Sequence, residues 1–241
     1  MKKLSIVMPV YNEKKYFEKI LRRVLKVNIP LEKEIVIIES NSTDGTRQLV
    51  KKYEKRKGFK VIYEDKPRGK GSAVKKGFKA ATGDIILVQD SDMEYNPQDY
   101  PKLIEPILKN KAKFVLGSRK IGQNTWKIRS SKTGIVKVAF INVIAHMADA
   151  FFNVLYGVHL TDSQTMYKVF RREYIKGIKF TSNHFNLDFE ICARLIRRGY
   201  IPVEVPIRYK SRSFSEGKKI KLFRDIFINL YTIIKYRIVK S

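Results

Sequence analysis

The sequence is poor in the residues that build covalent or metal scaffolds. A single cysteine, Cys192, and three histidines stand among 241 residues. One thiol excludes an intrachain disulfide and any Cys-based zinc site, and it suits a reducing compartment. The apolar neighbours of Cys192 place it in a core. Acidic residues are also scarce: 23 Asp and Glu face 50 Lys and Arg, a formal net charge of +27. Such a field attracts polyanions without choosing among nucleic acid, anionic membrane and phosphorylated ligands. Long uninterrupted apolar runs are missing. The stretch from Val138 to Val158 carries Asn142, His146, Asp149 and Asn153, too polar to read as a spanning helix. Met1-Lys2-Lys3-Leu4 runs straight into a strand pattern, so no signal peptide is expected. There is no internal repeat and no low-complexity linker.

What is present is globular: 44% of the residues are hydrophobic and 12% aromatic, enough for one large domain with a real core. Short β-branched runs alternate with amphipathic, Lys-rich stretches. Strands are expected at Leu4–Val10, Glu34–Ile38, Phe59–Tyr63, Asp84–Gln89 and Lys113–Leu116. Helices are expected between them at Glu13–Val27, Thr43–Lys57, Ser72–Ala81 and Pro97–Asn110. This rhythm predicts an α/β fold with βαβ units and a mostly parallel sheet, which puts ligand chemistry at the carboxyl ends of the strands. The second half predicts a long helix over Ser130–Tyr156, a strand at Thr165–Phe170, a helix at Phe189–Arg198, a strand at Ile201–Ile207 and a terminal helix at Ile220–Val239. The division expected is a main domain over 1–219 and a basic amphipathic helix over 220–241.

Strand Ile85–Gln89 would deliver Asp90, Asp92 and Glu94 at alternate positions, pointing the same way. Carboxylates gathered at a strand end repel one another unless a cation sits among them, and oxygen-only ligands suit Mg²⁺ or Mn²⁺ bridging to phosphate. An acidic surface turn capping the helix after Pro97 explains the same residues equally well. Other polar clusters end the first two strands: Pro9-Val10-Tyr11-Asn12-Glu13 and Glu39-Ser40-Asn41-Ser42-Thr43-Asp44-Gly45-Thr46. Caps and turns account for Ser42 and Thr43 more readily than for Glu13 and Glu39. Arg68-Gly69-Lys70-Gly71-Ser72 opens a helix and could cradle a phosphate on backbone N–H groups, though it lacks Walker A spacing. His146 and His159 read as packed or partly exposed. Asp149 would face solvent or pair with a lysine.

Taken in order, these motifs resemble the family 2 glycosyltransferases of the GT-A fold. The matching pieces are P-x-Y-N-E, S-x-D-G-T, G-K-G-x-A-V-x-x-G-F and Q-D-x-D-x-E-Y. Gln89–Pro97 followed by Asp99-Tyr100-Pro101-Lys102-Leu103 looks like the dolichyl- or polyprenyl-phosphate sugar transferases. So do Gly117-Ser118-Arg119, Leu160-Thr161-Asp162, Tyr167–Arg171, Glu204-Val205-Pro206-Ile207 and the stretch from Arg212 to Ile220.

That resemblance implies a Rossmann-like GT-A domain and a nucleoside diphosphate sugar donor of the GDP-mannose or UDP-glucose type. It implies Pro9, Tyr11, Glu13, Glu39, Asn41, Lys70 and Asp90 at the donor. It makes Asp90 and Asp92 the D-x-D pair, Asp92 and Glu94 the ligands of Mg²⁺ or Mn²⁺, and Asp162 an acid near the reaction centre. Arg119, Arg129, Arg212, Lys218 and Lys219 would meet the phosphates of donor and acceptor. The sequence departs from the family pattern at Glu39, where Asp is usual, and at Ser40, Arg68, Met166, His184 and Asn186.

The implied reaction is inverting transfer of a hexose to a polyprenyl phosphate. A lipid phosphate is already an oxyanion, so Asp162 would orient a ligand and need not take a proton. From Arg208 to Ser241 ten Lys and Arg face Glu216 and Asp225, a net +8. Leu222, Phe223, Ile226, Phe227, Leu230, Tyr231, Ile233 and Ile234 recur beside that charge at helical spacing. The tail reads either as a helix lying on an anionic membrane or as one packed on the core. Expected partners are therefore the donor, polyprenyl phosphate, an anionic membrane surface at its cytoplasmic face and a possible membrane-embedded subunit. Transfer to a saccharide hydroxyl is the alternative function. A nucleic-acid-binding protein is the alternative class, but the stacking platforms and motifs of specific nucleic-acid readers are absent.

Overall fold

The computed structural model describes residues 1–122, 135–212 and 222–239. Seven strands form one sheet in the order β3-β2-β1-β4-β6-β5-β7. The first four are β1 (Lys3–Val10), β2 (Glu32–Glu39), β3 (Phe59–Tyr63) and β4 (Ile85–Val88). The others are β5 (Phe114–Ser118), β6 (Lys168–Arg171) and β7 (Val203–Pro206). All pairings are parallel except those of β6, which runs antiparallel to both β4 and β5. The helices are α1 (Phe17–Lys26), α2 (Thr46–Lys51), α3 (Lys70–Ala80), α4 (Tyr100–Leu108), α5 (Ile135–Tyr156), α6 (Leu187–Arg197) and α7 (Leu222–Ile238). This is the α/β architecture the alternation predicts, a mostly parallel GT-A-like sheet flanked by helices.

Burial explains the central strands. From Leu4 to Val10 every residue of β1 is buried, as expected of a parallel strand covered on both faces. Helix α3 lies flush on that sheet because Gly77 faces Val7: a Cβ at Gly77 would come within 2.2 Å of Val7 Cγ1. Cys192 is fully buried on α6, and burial pushes its thiol pKa up to about 12.

Several elements are shorter than their sequence patterns. Helix α2 ends at Lys51, and the chain continues in turns bonded to the third residue back. Lys51, Lys52, Lys55 and Arg56 would otherwise stack like charges four apart. Strand β4 stops at Val88, so Asp90, Asp92 and Glu94 stand on the following loop. Strand alternation therefore does not aim them, and the structure sends Asp90 to one cation and Asp92 and Glu94 to another.

The second half differs most. Val138–Tyr156 is, among the described residues, the one helix long and apolar enough to cross a membrane by length and composition. Here it packs on the domain: Phe152 and Asn142 are fully buried. Asp149 is also buried, 2.6 Å from Lys120. Helix α7 lies beside α5, with Tyr156 Oη donating to the Ile233 carbonyl and Arg237 Nε to that of Leu155. Its inner residues Ile233 and Tyr236 belong to the main core. The terminal helix is thus amphipathic and basic, and its inner face is structural.

Candidate active site

The site forms where the loops after β1, β2 and β4 meet. Two asparagines in left-handed conformation, Asn12 (φ 50°) and Asn41 (φ 57°), turn the first two loops; asparagine tolerates that region better than most residues. The second loop then supports the first. Ser42 Oγ accepts from Asn12 N, Thr46 Oγ1 from Glu13 N, and Asp44 Oδ2 from Lys14 N. The polar run after β2 is therefore largely structural, and it presents Pro9, Tyr11 and Glu13 to a cavity of 370 Å³.

Glu39 and Asn41, expected at the donor, do not line that cavity. The Glu39 carboxylate accepts from Ser42 N at 2.7 Å and Asn41 N at 3.2 Å, with Arg47 at 3.6 Å. Glu39 thus curls back onto the backbone two and three residues on. Asn41 donates to the Asp65 carbonyl and accepts from Arg47.

The glycine-rich turn before α3 is shaped by close approach. Gly69 has φ 99°, and a Cβ there would stand 2.4 Å from the Asn183 carbonyl and from His184 Nδ1. Ser72 N donates to the Asn183 carbonyl, so part of the turn is committed to packing. Lys70 remains at the cavity wall. Its Nζ sits 2.8 and 2.9 Å from the two Asp90 oxygens and 5.3 Å from the Phe185 ring. Burial opposes the charged ammonium, but Asp90 and then Asp188 outweigh it and hold the Lys70 pKa above the usual lysine value. Asp90 is set by Gln89, which donates to the Asp90 carbonyl and accepts from Tyr100 and Tyr167.

Asp92 and Glu94 meet a different cation. The chain after β7 is stitched to the segment after β4: Arg208 binds Asp99, Tyr95 bridges Tyr209, and Lys210 N donates to the Glu94 carbonyl. This brings Arg212 across the cavity. Its Nη2 is 2.6 Å from Asp92 and its Nη1 3.1 Å from Glu13, while its N–H donates to Glu94 Oε1 at 2.6 Å. Burial first, then Asp90 and Glu94, push the Asp92 pKa up to about 7, against the pull of Arg212. Arg212 is held above its usual value by Asp92, Glu13 and Glu94 despite burial. Among the described residues no three of His, Cys, Asp and Glu form a metal cage by themselves. The carboxylates of Glu13, Asp92 and Glu94 nevertheless converge on a guanidinium, so the donor set is hard oxygen and the place accepts positive charge.

Asp162 and Arg119 form a buried pair. Both Asp162 oxygens receive the guanidinium at 2.7 Å, and one also accepts Arg119 N. Burial raises the Asp162 carboxyl, but Arg119 overcomes it and holds the pKa below the usual aspartate value. Asp162 is fully buried and does not line the cavity, whereas Arg119 does. Asp162, expected near the reaction centre, here holds a cation at the cavity wall. Arg129, Lys218 and Lys219 lie outside the described residues.

Tyr209, which no sequence motif marks, donates to Glu94 Oε2 at 2.9 Å and lies under Arg119. An apolar wall of Ile141, Ile144 and Ala145 from α5 and Ile226 from α7 completes the cavity. Their helical spacing carries no signal that distinguishes a cavity wall from a core face.

Comparison with known proteins fits this geometry. The sequence profile of glycosyl transferase family 2 matches residues 5–179. The chain belongs to glycosyl transferase family 2. It is a nucleotide-sugar-dependent glycosyltransferase, and its likeness to the dolichyl-phosphate branch is clear. It is 30% identical to a dolichol-phosphate mannosyltransferase of Pyrococcus furiosus, over 99% of this chain and 67% of that protein. In fold, this family 2 transferase is similar to glucosyl-3-phosphoglycerate synthase of Mycobacterium tuberculosis solved with Mn²⁺, UDP and phosphoglyceric acid. The TM-score is 0.71 at 18% identity, covering all of this chain and 80% of the other. The same enzyme solved with Mg²⁺ and UDP gives a TM-score of 0.69 at 17% identity, covering all of this chain and 81% of the other.

Proposed function

We propose that this transferase moves a hexose, with inversion, from a nucleoside diphosphate sugar to a polyprenyl phosphate at the cytoplasmic face of an anionic membrane. One observation carries the reading: a single cavity joins a charged wall to an apolar one. The charged wall is Glu13, Asp90, Asp92, Glu94, Arg119 and Arg212, and the apolar wall comes from α5 and α7. A phosphate with a long hydrocarbon tail needs both. The P. furiosus relative bears a name of that acceptor class.

In this reading the C1–O bond to the diphosphate breaks while an acceptor phosphate oxygen bonds C1 from the opposite face, and the nucleoside diphosphate leaves with the electron pair. Asp92 and Glu94 fit a Mg²⁺ or Mn²⁺ ion, which supplies neutralising charge at the leaving diphosphate when bound. Lys70, Arg119 and Arg212 offer donors to the phosphate oxygens of donor and acceptor. Asp162 keeps Arg119 in place, and its engagement there suits an acceptor that arrives already ionised.

Membrane attachment draws on the outer faces of the same helices. Phe140, Val143, Met147 and Val154 of α5 are exposed, as are Phe227, Tyr231, Ile234 and Ile238 of α7. Arg224, Lys235 and Arg237 accompany them on α7, matching an interfacial helix on anionic lipid.

The test is a donor screen with Mg²⁺ or Mn²⁺, offering polyprenyl phosphate in anionic liposomes against oligosaccharide acceptors. Product on the lipid from one nucleotide sugar supports the reading. Transfer to the saccharide alone overturns the acceptor assignment and leaves the family intact.

A further inference from the structure

At the opposite end of the sheet lies a larger cavity, 910 Å³, between α3 and the chain from Arg171 to Phe180. Asp84, just before β4, and Arg171, which ends antiparallel β6, mark this as the amino-terminal edge of the parallel strands. The residues discussed above stand at the carboxyl edge. We propose that this groove is a second anion site, which takes a phosphate-bearing ligand, either a free phosphate ester or a lipid headgroup.

Charge imbalance is the first argument. Helix α3 contributes Lys75, Lys76 and Lys79, and the facing chain contributes Arg171, Arg172, Lys176 and Lys179. Two acids line the same space, and both are engaged. Asp84 accepts the N–H groups of Lys2 and Lys3, and Glu173 pairs with Arg171. Lys75 is held by the Thr181 carbonyl and Asn183, and Lys76 by Glu64. Among the described residues, Lys79, Lys176 and Lys179 have no carboxylate partner, and all three are exposed.

Self-repulsion is the second. Lys75 and Lys79 stand four apart on α3, a like-charge spacing that costs stability. Partial burial lowers the Lys75 pKa first; Glu190 acts the other way, and the smaller effect of Lys79 adds to the lowering. An anion between the lysines relieves both effects. Phosphate gains more than a carboxylate would, because it can accept from several cations at once.

The floor is the third. Phe78, Ala81 and Ile175 are buried beneath the cations, and Phe78 meets Phe180 edge-on at 5.7 Å. An apolar floor with a cationic rim suits a phosphate attached to an organic body, and the volume falls within the usual range for such sites.

The experiment uses the full chain in EDTA. Inorganic pyrophosphate binding is measured by calorimetry, and vesicle binding by co-sedimentation with phosphatidylglycerol or phosphatidylcholine vesicles. The variant is Lys79→Ala/Lys176→Ala/Lys179→Ala. The control, Lys19→Ala/Lys51→Ala/Lys55→Ala, removes equal charge from an exposed face elsewhere. Melting temperatures confirm that both fold. The groove variant should lose one pyrophosphate site, or bind phosphatidylglycerol vesicles about tenfold or more weakly, while the control behaves as wild type. Loss of pyrophosphate alone assigns a free phosphate ester, and loss of phosphatidylglycerol binding alone assigns a lipid headgroup. Equal losses in variant and control reduce the effect to net charge and overturn the proposal, as does wild-type binding by the groove variant in both arms.

Discussion

The guanidinium of Arg212 lies 2.6 Å from the Asp92 carboxylate and 3.1 Å from that of Glu13. These acids are 120 and 199 positions away in the sequence. The contact closes the site by joining the chain after β7 to the loops after β1 and β4. Arg212→Ala should lower kcat by about 100-fold, the scale of losing one preorganised charge donor at a reacting group. Arg212→Lys should recover part of it. A fall in melting temperature with unchanged kcat/KM would make Arg212 a structural clamp only.

Asp92→Asn removes a carboxylate that burial, Asp90 and Glu94 disfavour in its charged form. Turnover should fall by orders of magnitude while the fold is retained, because the amide keeps the shape and relieves repulsion. Mn²⁺ binding in the presence of nucleoside diphosphate, followed by electron paramagnetic resonance, should weaken in parallel. Full activity of the wild type in excess chelator would rule out the metal role of this loop.

The Arg119–Asp162 pair gives a pH signature. The folded Asp162 pKa lies below the usual aspartate value, so its contribution is present above that value and is lost as pH falls through the folded pKa. Asp162→Asn leaves Arg119 buried beside a neutral group and should cost about 3–5 kcal/mol at neutral pH. The deficit should shrink in acid. Urea titrations from pH 7 down to pH 3 measure it, and a deficit independent of pH would mean that the carboxylate charge is not what matters.

Gly77→Ala tests how closely α3 approaches the sheet. The new methyl would overlap Val7 Cγ1, and overpacking of that kind costs about 1–3 kcal/mol. Val7→Ala in the same chain should restore part of the loss. Equal stability of Gly77→Ala and wild type would show that the helix shifts freely.

The two faces of α7 should separate by mutation. Phe227→Ser with Ile234→Ser, both on the outer face, should leave the melting temperature within a few degrees and weaken binding to anionic liposomes. Ile233→Ala, fully buried, should destabilise the domain by about 2–5 kcal/mol. Liposome binding unchanged in the outer-face variant would remove α7 from the membrane interface.

Much of this protein is written locally. The β-branched runs of β1 to β5, the helices between them and the order of the polar clusters follow from periodicity and turn chemistry, because each reports on its own few neighbours. The approximate place of Asp90, Asp92 and Glu94 was legible for the same reason. The sharing of cations was not. Asp90 takes Lys70 and Asp92 takes Arg212 because β4 ends two residues before Asp90 and the chain after β7 returns beside it. No local pattern encodes that return. The antiparallel insertion of β6, the inward turn of Glu39, the withdrawal of Asp162 into its pair with Arg119 and the two-sided use of α5 and α7 are likewise tertiary decisions. In each, a side chain finds its partner only after distant segments have packed, and burial then fixes which charge it keeps. Composition alone determined that the protein would be strongly basic; the fold decided which cations face carboxylates and which stand exposed in a groove at the far edge of the sheet.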